Sequence, residues 1–406
     1  MTAPAVLIVA DDLSGAADSA VAFAARARTG VVLDPGAPWP DATAVAVDTD
    51  SRYLPGEAAA RRAAAVLDRA APGTLVYKKI DSTLRGNIGP ETAACLAALT
   101  RRTGRRHIAV VTPAFPATGR TVRDGRVLVD GEPVETRHPG RTPLAAQLTA
   151  AGLTVAALGL RELRTGDPAR TLAAADADAL VVDAETDDDL ARLVRACAGL
   201  PVLLVGSGGL AQHLTAAAPR ATPADTDTDT DVTAAGAHRP ALVCVGSRSD
   251  LAHAQRDALV TGLPATPVPV RLDAPAAAAT ARITEALRAG RPAVVFPDPD
   301  EPLRPERAAD VAAGLAAAVR PALPAAGTLV VTGGETARAV LLAAGVRALT
   351  VHGEAEPGVV LLRTPDGLPV VTKAGAFGDA GTLLRVVRAL PDAPRPVVPH
   401  TASQES

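Results

Sequence analysis

The sequence predicts an α/β protein built as two α/β domains with mostly parallel sheets and a ligand cleft between them. Three observations carry that expectation. At 406 residues the chain has room for two or three domains of ~150 residues each. Short runs of valine, isoleucine and leucine alternate with Ala/Arg/Leu-rich stretches of helical length, and strands that are apolar throughout belong in a parallel sheet covered on both faces. From 219 to 238 the alternation gives way to a low-complexity Asp/Thr/Pro/Ala stretch that cannot bury a core.

The first domain, 1–218, opens with a strand at Val6–Val9, bounded at once by Asp11 and Asp12. Further strands are expected at Ala44–Asp48, Leu75–Lys78, Ile108–Val111, Thr154–Leu158, Ala179–Val182 and Val202–Val205. Helices are expected over Asp18–Arg28, Gly56–Ala70, Gly89–Arg101, Pro143–Ala151, Asp187–Ala198 and Gly209–Ala217. Arg126–Val134 breaks the rhythm: its Asp130-Gly131 pair reads as a hairpin turn, either an insert over a site mouth or a plain exposed hairpin. Residues 219–238 read as a linker, since their aspartates lack the glycine turn and closing glutamate of a calcium loop. The second domain, 239–390, repeats the alternation with strands at Leu242–Val245, Val268–Val270, Ala293–Phe296, Leu329–Val331 and Val370–Thr372. The Pro-rich tail 391–406 is expected to fray.

Composition narrows the function. Apolar residues make up 48% of the chain, and 41 basic against 44 acidic side chains leave a net charge of −3. That balance argues against nucleic acid or an anionic membrane as the main partner. No apolar run reaches the ~18–20 residues that span a bilayer, and the stretch Met1–Ala10 has no basic residue of a secretory leader. Cys95, Cys197 and Cys244 are far apart, which excludes a disulfide framework and a cysteine zinc site, and the seven histidines show no metal-type spacing. A cytoplasmic setting fits best.

Against 38 arginines the chain keeps three lysines, Lys78, Lys79 and Lys373, and one asparagine, Asn87. A compact ammonium and a guanidinium are not interchangeable. Lysines that survive so strong a drift to arginine, two of them within ten residues of Asn87, therefore point to a site, with chance as the alternative.

Four polar segments follow strands of the first domain. In Ala10-Asp11-Asp12-Leu13-Ser14-Gly15-Ala16-Ala17-Asp18, carboxylates stand where open α/β sheets bind ligands. A helix cap explains one such residue but not the whole group. Lys78-Lys79-Ile80-Asp81-Ser82-Thr83-Leu84-Arg85-Gly86-Asn87 runs into a helix start at Gly89-Pro90, where backbone amides, Arg85 and a lysine suit a carboxylate or a phosphate. Pro113-Ala114-Phe115-Pro116-Ala117-Thr118-Gly119-Arg120 forms a stiff loop in which Arg120 can face an anion. Gly206-Ser207-Gly208-Gly209-Leu210-Ala211 matches a dinucleotide loop in form but lacks the acidic residue closing a second strand, so tight strand-to-helix packing is the better reading.

The second domain has three glycine-rich turns: Gly246-Ser247-Arg248-Ser249, Thr332-Gly333-Gly334-Glu335-Thr336, and Lys373-Ala374-Gly375-Ala376-Phe377-Gly378-Asp379. Glycine lets the backbone approach closely, and helix N-termini attract phosphate oxygens. Three such turns, one with the last lysine, suit a nucleotide polyphosphate. Neither a Walker A sequence nor the protein-kinase set is present.

In this order, these motifs resemble the four-carbon acid sugar kinase family over nearly the whole chain, with wording closer to its D-threonate and D-erythronate kinase branch. Ser14 stands where that family more often has threonine, and Gly208 where it usually has alanine. The resemblance implies an N-terminal substrate domain, a C-terminal ATP-binding domain, and transfer of the γ-phosphate of ATP to the terminal 4-hydroxyl of a four-carbon sugar acid. On that basis Asp12 is expected to accept the hydroxyl proton, with Asp81 in reserve. Asp11, Lys79, Ser82, Arg85, Asn87 and Arg120 would hold the sugar acid. Ser247, Ser249, Gly333, Gly334, Glu335, Thr336, Gly375 and Gly378 would hold ATP with Mg²⁺ bridging its phosphates, Lys373 would neutralise charge on the transferred group, and domain closure about the linker would exclude water. The alternatives are 3-oxo-tetronate 4-kinase activity, an NAD-dependent dehydrogenase and a non-enzymatic sugar-acid sensor. A homo-oligomer is compatible with the sequence.

Overall fold

The computed structural model describes residues 3–216, 240–247, 249–301, 307–375 and 377–390; the expected linker 219–238 and tail 391–406 lie outside them. The chain divides into two compact units. The first takes the described residues up to 216 and also Val346–Glu354 and Leu362–Pro365, while the second takes the remainder of 240–390. The sequence had placed all of 239–390 in one domain; two short C-terminal segments instead complete the first unit.

The strands are β1 (Val6–Ala10), β2 (Thr29–Val32), β3 (Ala44–Asp48), β4 (Leu75–Lys79), β5 (Ile108–Thr112), β6 (Arg120–Arg123), β7 (Arg126–Val129), β8 (Glu132–Pro133), β9 (Val155–Leu158), β10 (Ala179–Val182) and β11 (Val202–Gly206). They continue with β12 (Ala241–Val245), β13 (Thr266–Val270), β14 (Ala293–Pro297), β15 (Thr328–Thr332), β16 (Ala348–Glu356), β17 (Val359–Arg363) and β18 (Pro369–Lys373).

In the first unit the order is β16-β2-β3-β1-β4-β11-β5-β10-β9. Every pairing is parallel except that of Ala348–Val351 with Thr29–Val32. The continuous apolar runs read from the sequence are buried on both faces, as in β1, where all five residues are buried. The chain leaves β1 to build β3 on one side and β4 on the other. The switch in strand order, where open α/β sheets place their ligands, thus falls at the carboxyl end of β1. Three helices flank it: α1 (Leu13–Ala24), α2 (Gly56–Leu67) and α3 (Ile88–Thr103).

Strands β6, β7 and β8 form a separate antiparallel meander. Its two turns, Asp124-Gly125 and Asp130-Gly131, have positive φ at both residues, the conformation that two-residue hairpin loops favour. It is not a plain exposed hairpin. Val122, Val127 and Val129 are buried, and Asp183, just past β10, accepts from the Asp124 and Gly125 amides at 2.9 Å each.

In the second unit the order is β13-β14-β12-β15-β18-β17, parallel from β13 through β18. Its core is built on Val243, Val245, Val294, Val330 and Val371, with Leu259, Leu383 and Val387 from the covering helices. The chain passes from β12 out to β13, back through β14, and then to β15 on the far side. The switch therefore lies at the carboxyl ends of β12 and β15. Among the described residues no helix is long and apolar enough to cross a membrane.

Candidate active site

At the first switch, backbone geometry brings four carboxylates and three cations together. Asp12 caps α1, its Oδ1 accepting from the Gly15 amide at 2.8 Å. The helix therefore starts at Leu13, not at Asp18 as the sequence suggested, and Asp18 lies on the helix itself. Arg52, in the loop after β3, joins the acids. Its Nε and Nη2 donate to the two oxygens of Asp11 at 2.8 and 3.0 Å, and its Nη1 donates to Asp12 Oδ2 at 2.6 Å. Its Nη2 also lies 3.5 Å from Asp81 Oδ2. Burial alone would push the Asp11 carboxyl up, but Arg52, then Lys78 and Lys79, outweigh it and hold Asp11 below the ordinary carboxylate range.

Asp81 is saturated. It accepts from the Thr83 amide and hydroxyl at 2.9 and 2.6 Å, and from Arg85 Nε and Nη2 at 2.9 and 2.6 Å. Against the upward pull of burial, Arg85 and Arg52 hold it far below the usual range. Both Asp81 oxygens are thus already engaged by protein donors. The turn is completed by Leu84, a non-glycine residue at φ 61°, of the strained kind that persists where the surroundings over-determine it. Ser82 is only partly buried, and its hydroxyl has no protein partner among the described residues.

Successive residues of a strand point to opposite faces, and this separates the two lysines of β4. Lys78 runs under α3, where it pairs with Glu91 at 2.6 Å, both side chains fully buried; Ser51 donates to the same carboxylate at 2.6 Å. That network is structural. Lys79 goes the other way, under α1. A Cβ on Gly15 would lie 2.9 Å from Lys79 Nζ and 2.7 Å from Asp12 Oδ1, so a side chain there would displace both groups. Lys79 is 5% exposed and has neither a hydrogen-bonded partner nor a carboxylate within ion-pair distance among the described residues. Its carboxylate neighbours lie beyond ion-pair distance, so the ammonium keeps donors open to a ligand.

Asn87 was expected to face the sugar acid. Its amide instead donates to the carbonyls of Ser51 and Leu54, both at 2.9 Å, and so fixes the loop that carries Arg52. Arg120 stands on β6 with its Nη1 turned to the Thr118 carbonyl. The Gly206–Ala211 turn is a packing device. A Cβ on Gly206 would lie 2.6 Å from Thr112 O, one on Gly209 2.6 Å from Ala114 O, and Ser207 Oγ donates to Ala114 O at 2.9 Å.

In the second unit β12, β15 and β18 end in register at Val245, Thr332 and Lys373, so the three glycine turns meet. A Cβ on Gly246 would overlap Thr336 Oγ1, and one on Gly375 would lie 3.0 Å from Ser247 Oγ. Gly333, at φ 91°, caps the helix Gly334–Ala343, and its amide donates to Lys373 O at 2.9 Å. Ser249 caps the helix Asp250–Gly262 and is itself braced by Ser247. Lys373 is buried with one carbonyl, Ala374 O, as its partner at 2.7 Å, and burial pushes its ammonium down to about 8. Thr332 Oγ1 is buried without a partner. Close-approach glycines, an orphaned hydroxyl and an under-satisfied ammonium fit a polyphosphate. Glu335 is exposed. Gly378 stands apart from this group, against Thr382 at the start of the last helix.

Known proteins resemble this chain over most of its length. A sequence-family profile described as a sugar-binding N-terminal domain matches residues 6–214, and one described as a nucleotide-binding C-terminal domain matches residues 242–383. The D-threonate kinase of Cupriavidus necator is 41% identical over 96% of this chain and 99% of its own length. The chain belongs to the four-carbon acid sugar kinase family. Other members of the family include a D-threonate kinase of Bordetella bronchiseptica, 37% identical over 96% of this chain and 98% of that protein, and a 3-oxo-tetronate kinase of Cupriavidus necator, 32% identical over 92% and 94%. A crystal structure from Salmonella typhimurium LT2 matches with a TM-score of 0.76 at 22% identity, covering 94% of this chain and 98% of that one; it shows the shared fold.

Two residues of this candidate site were not singled out from the sequence. Arg52 follows Asp48-Thr49-Asp50-Ser51, a further polar segment at a strand end, and that was its signal. Asp18 was legible inside the first motif, but nothing in the sequence told it apart from Asp11 and Asp12.

Proposed function

We propose that the protein is an ATP-dependent kinase that phosphorylates the terminal hydroxyl of a four-carbon sugar acid, with D-threonate as first candidate. The observation that carries this reading is the 41% identity to a D-threonate kinase over almost the full length of both chains. The lower 32% identity to a 3-oxo-tetronate kinase supports the aldonic acid over its keto form. The packed Gly206–Ala211 turn argues against a dehydrogenase, and the second glycine-lined site argues against a sensor that binds a sugar acid alone.

Phosphoryl transfer asks a protein for positioning and charge stabilisation more than for covalent chemistry. In the first unit Lys79 and Arg85 offer cations to the substrate carboxylate and Ser82 a hydroxyl, while Arg52 and Asn87 keep Asp11, Asp12 and Asp81 in place. Asp12 has one oxygen in the helix cap and the other on Arg52, so it orients rather than takes a proton. Arg120 is a candidate for a second anion contact. In the second unit the turns at Ser247, Ser249, Gly333, Gly334, Glu335, Thr336 and Gly375 would hold ATP, Gly378 would shape the third turn, and Lys373 would neutralise phosphate charge. Among the described residues no group of three metal-ligating side chains is present. Mg²⁺ would thus be held chiefly by the phosphates themselves, as that ion commonly is. The three free, buried thiols fit a reducing cytoplasm.

The test is ATP consumption with D-threonate, D-erythronate and 3-oxo-tetronate in parallel. The highest kcat/KM is expected with D-threonate. Turnover of none of the three would overturn the proposal.

A further inference from the structure

Of the four carboxylates at the first switch, three are spoken for: Asp11 and Asp12 by Arg52, and Asp81 by Arg85 and Thr83. The fourth, Asp18, has no hydrogen bond and no ion pair among the described residues. It sits on α1 three residues beyond Gly15 and hence on the same face, the face under which Lys79 Nζ lies. On its other side a Cβ added to Gly208 would overlap Asp18 Oδ2, with Phe115 Cε1 3.0 Å from the same point. An alanine at 208 would push this carboxylate away. The charged groups facing it are Lys79 from β4, Asp12 at the head of its own helix and Glu354 from the C-terminal segment. The neighbouring Tyr77 phenol donates to Ser207 O at 2.5 Å and is held neutral by burial and by Asp18 itself.

We propose that Asp18, not Asp12 or Asp81, takes up the proton of the substrate hydroxyl. This rests on the kinase reading above. The hydroxyl O–H bond breaks and its proton moves to an Asp18 oxygen. The same hydroxyl oxygen forms a bond to the γ-phosphorus as the bond from that phosphorus to the β-phosphate oxygen breaks, and ADP carries away the released electron pair. Among the four carboxylates named at this switch, Asp18 is the one that can accept without giving up a cap or an arginine. Its surroundings also suit a proton acceptor. Burial first, and then Glu354 and Asp12 against the pull of Lys79, push its carboxyl up to about 6, near the working pH of a general base.

The test uses the full chain and Asp18→Asn, which keeps the shape and removes the base. Expected is a fall in kcat of about 100-fold or more, with the KM for ATP unchanged and with loss of the acid limb that wild-type kcat/KM shows as pH falls through about 6. An Asp18→Asn enzyme within about threefold of wild-type kcat, or one keeping that limb, overturns the assignment while leaving the kinase reading intact. A wild type that consumes no ATP with any of the three acids overturns both the kinase reading and this step. A second measurement needs no substrate. The folded-state carboxyl binds its proton at higher pH than the unfolded one, so wild-type Tm gains on Asp18→Asn as pH falls from 8 to 5. A pH-independent difference in Tm shows that Asp18 does not titrate in this range and refutes the proposal.

Discussion

Replacing Arg52 by methionine tests whether one buried guanidinium holds the candidate sugar-acid site together. The side chain is 7% exposed and reaches three carboxylates, Asp11, Asp12 and Asp81. At separations of about 3 Å each pair is worth roughly 5 kcal/mol in an effective dielectric of ~20, most of it offset by the cost of burying the charges. Removing one partner exposes that cost, about 3–5 kcal/mol for a buried pair. Since Arg85 still covers Asp81, about 3 kcal/mol is the expected loss, and at ~2–4 °C per kcal/mol the calorimetric transition carrying the first unit should fall by about 6–12 °C at pH 7.5. The pH dependence has a definite sign. Wild-type Asp11 and Asp81 are held low, so their stabilisation is complete above the unfolded value of ~3.9 and is lost only as pH falls through their more acid folded values. In Arg52→Met the carboxyls rise and begin to take up protons, so the gap to wild type should narrow between pH 7.5 and 4.5. A loss below about 1 kcal/mol, or an equal gap at both pH values, would refute the reasoning.

Lys78→Met should cost about 3–5 kcal/mol by stranding Glu91, and the double variant Lys78→Met/Glu91→Leu should recover most of it, because an apolar pair replaces a buried ion pair at little net cost; urea denaturation of the first unit reads both. With its ammonium at about 8, Lys373 loses its charge as pH rises above that value, so ATP affinity should weaken from pH 7 to 9, and Lys373→Met should abolish that slope in calorimetric titrations. In Gly246→Ala the new methyl would overlap Thr336 Oγ1; the KM for ATP should rise about tenfold or more, ~1.4 kcal/mol, while the KM for the sugar acid stays unchanged.

Most of the parallel strands were legible because each is built on a short Val/Ile/Leu/Ala run. Strand β2 was not: Thr29-Gly30-Val31-Val32 carries too little apolar sequence to stand out after Arg28. Nor was β16, where Gly353 and alternating polar residues hide nine residues of strand. The start of α1 was placed late because Ser14 and Gly15 read as loop residues, whereas Asp12 caps directly ahead of them. At the candidate site, residue type and position after a strand were enough to single out Asp11, Asp12, Lys79, Asp81 and Arg85. Which of them keep free atoms was not legible, because that depends on Arg52, which arrives from a loop some forty residues from Asp11, and on Asn87 spending its amide on that loop.

The pairing of Ala348–Val351 with Thr29–Val32 has a consequence for biogenesis. While the ribosome is still making the chain, the nascent first half holds every parallel strand of its sheet yet leaves β2 as a bare edge for more than three hundred codons. Such an edge invites pairing with foreign strands. A fragment ending near residue 218 should therefore express as aggregates, and adding a peptide spanning 346–354 in trans should raise its soluble yield.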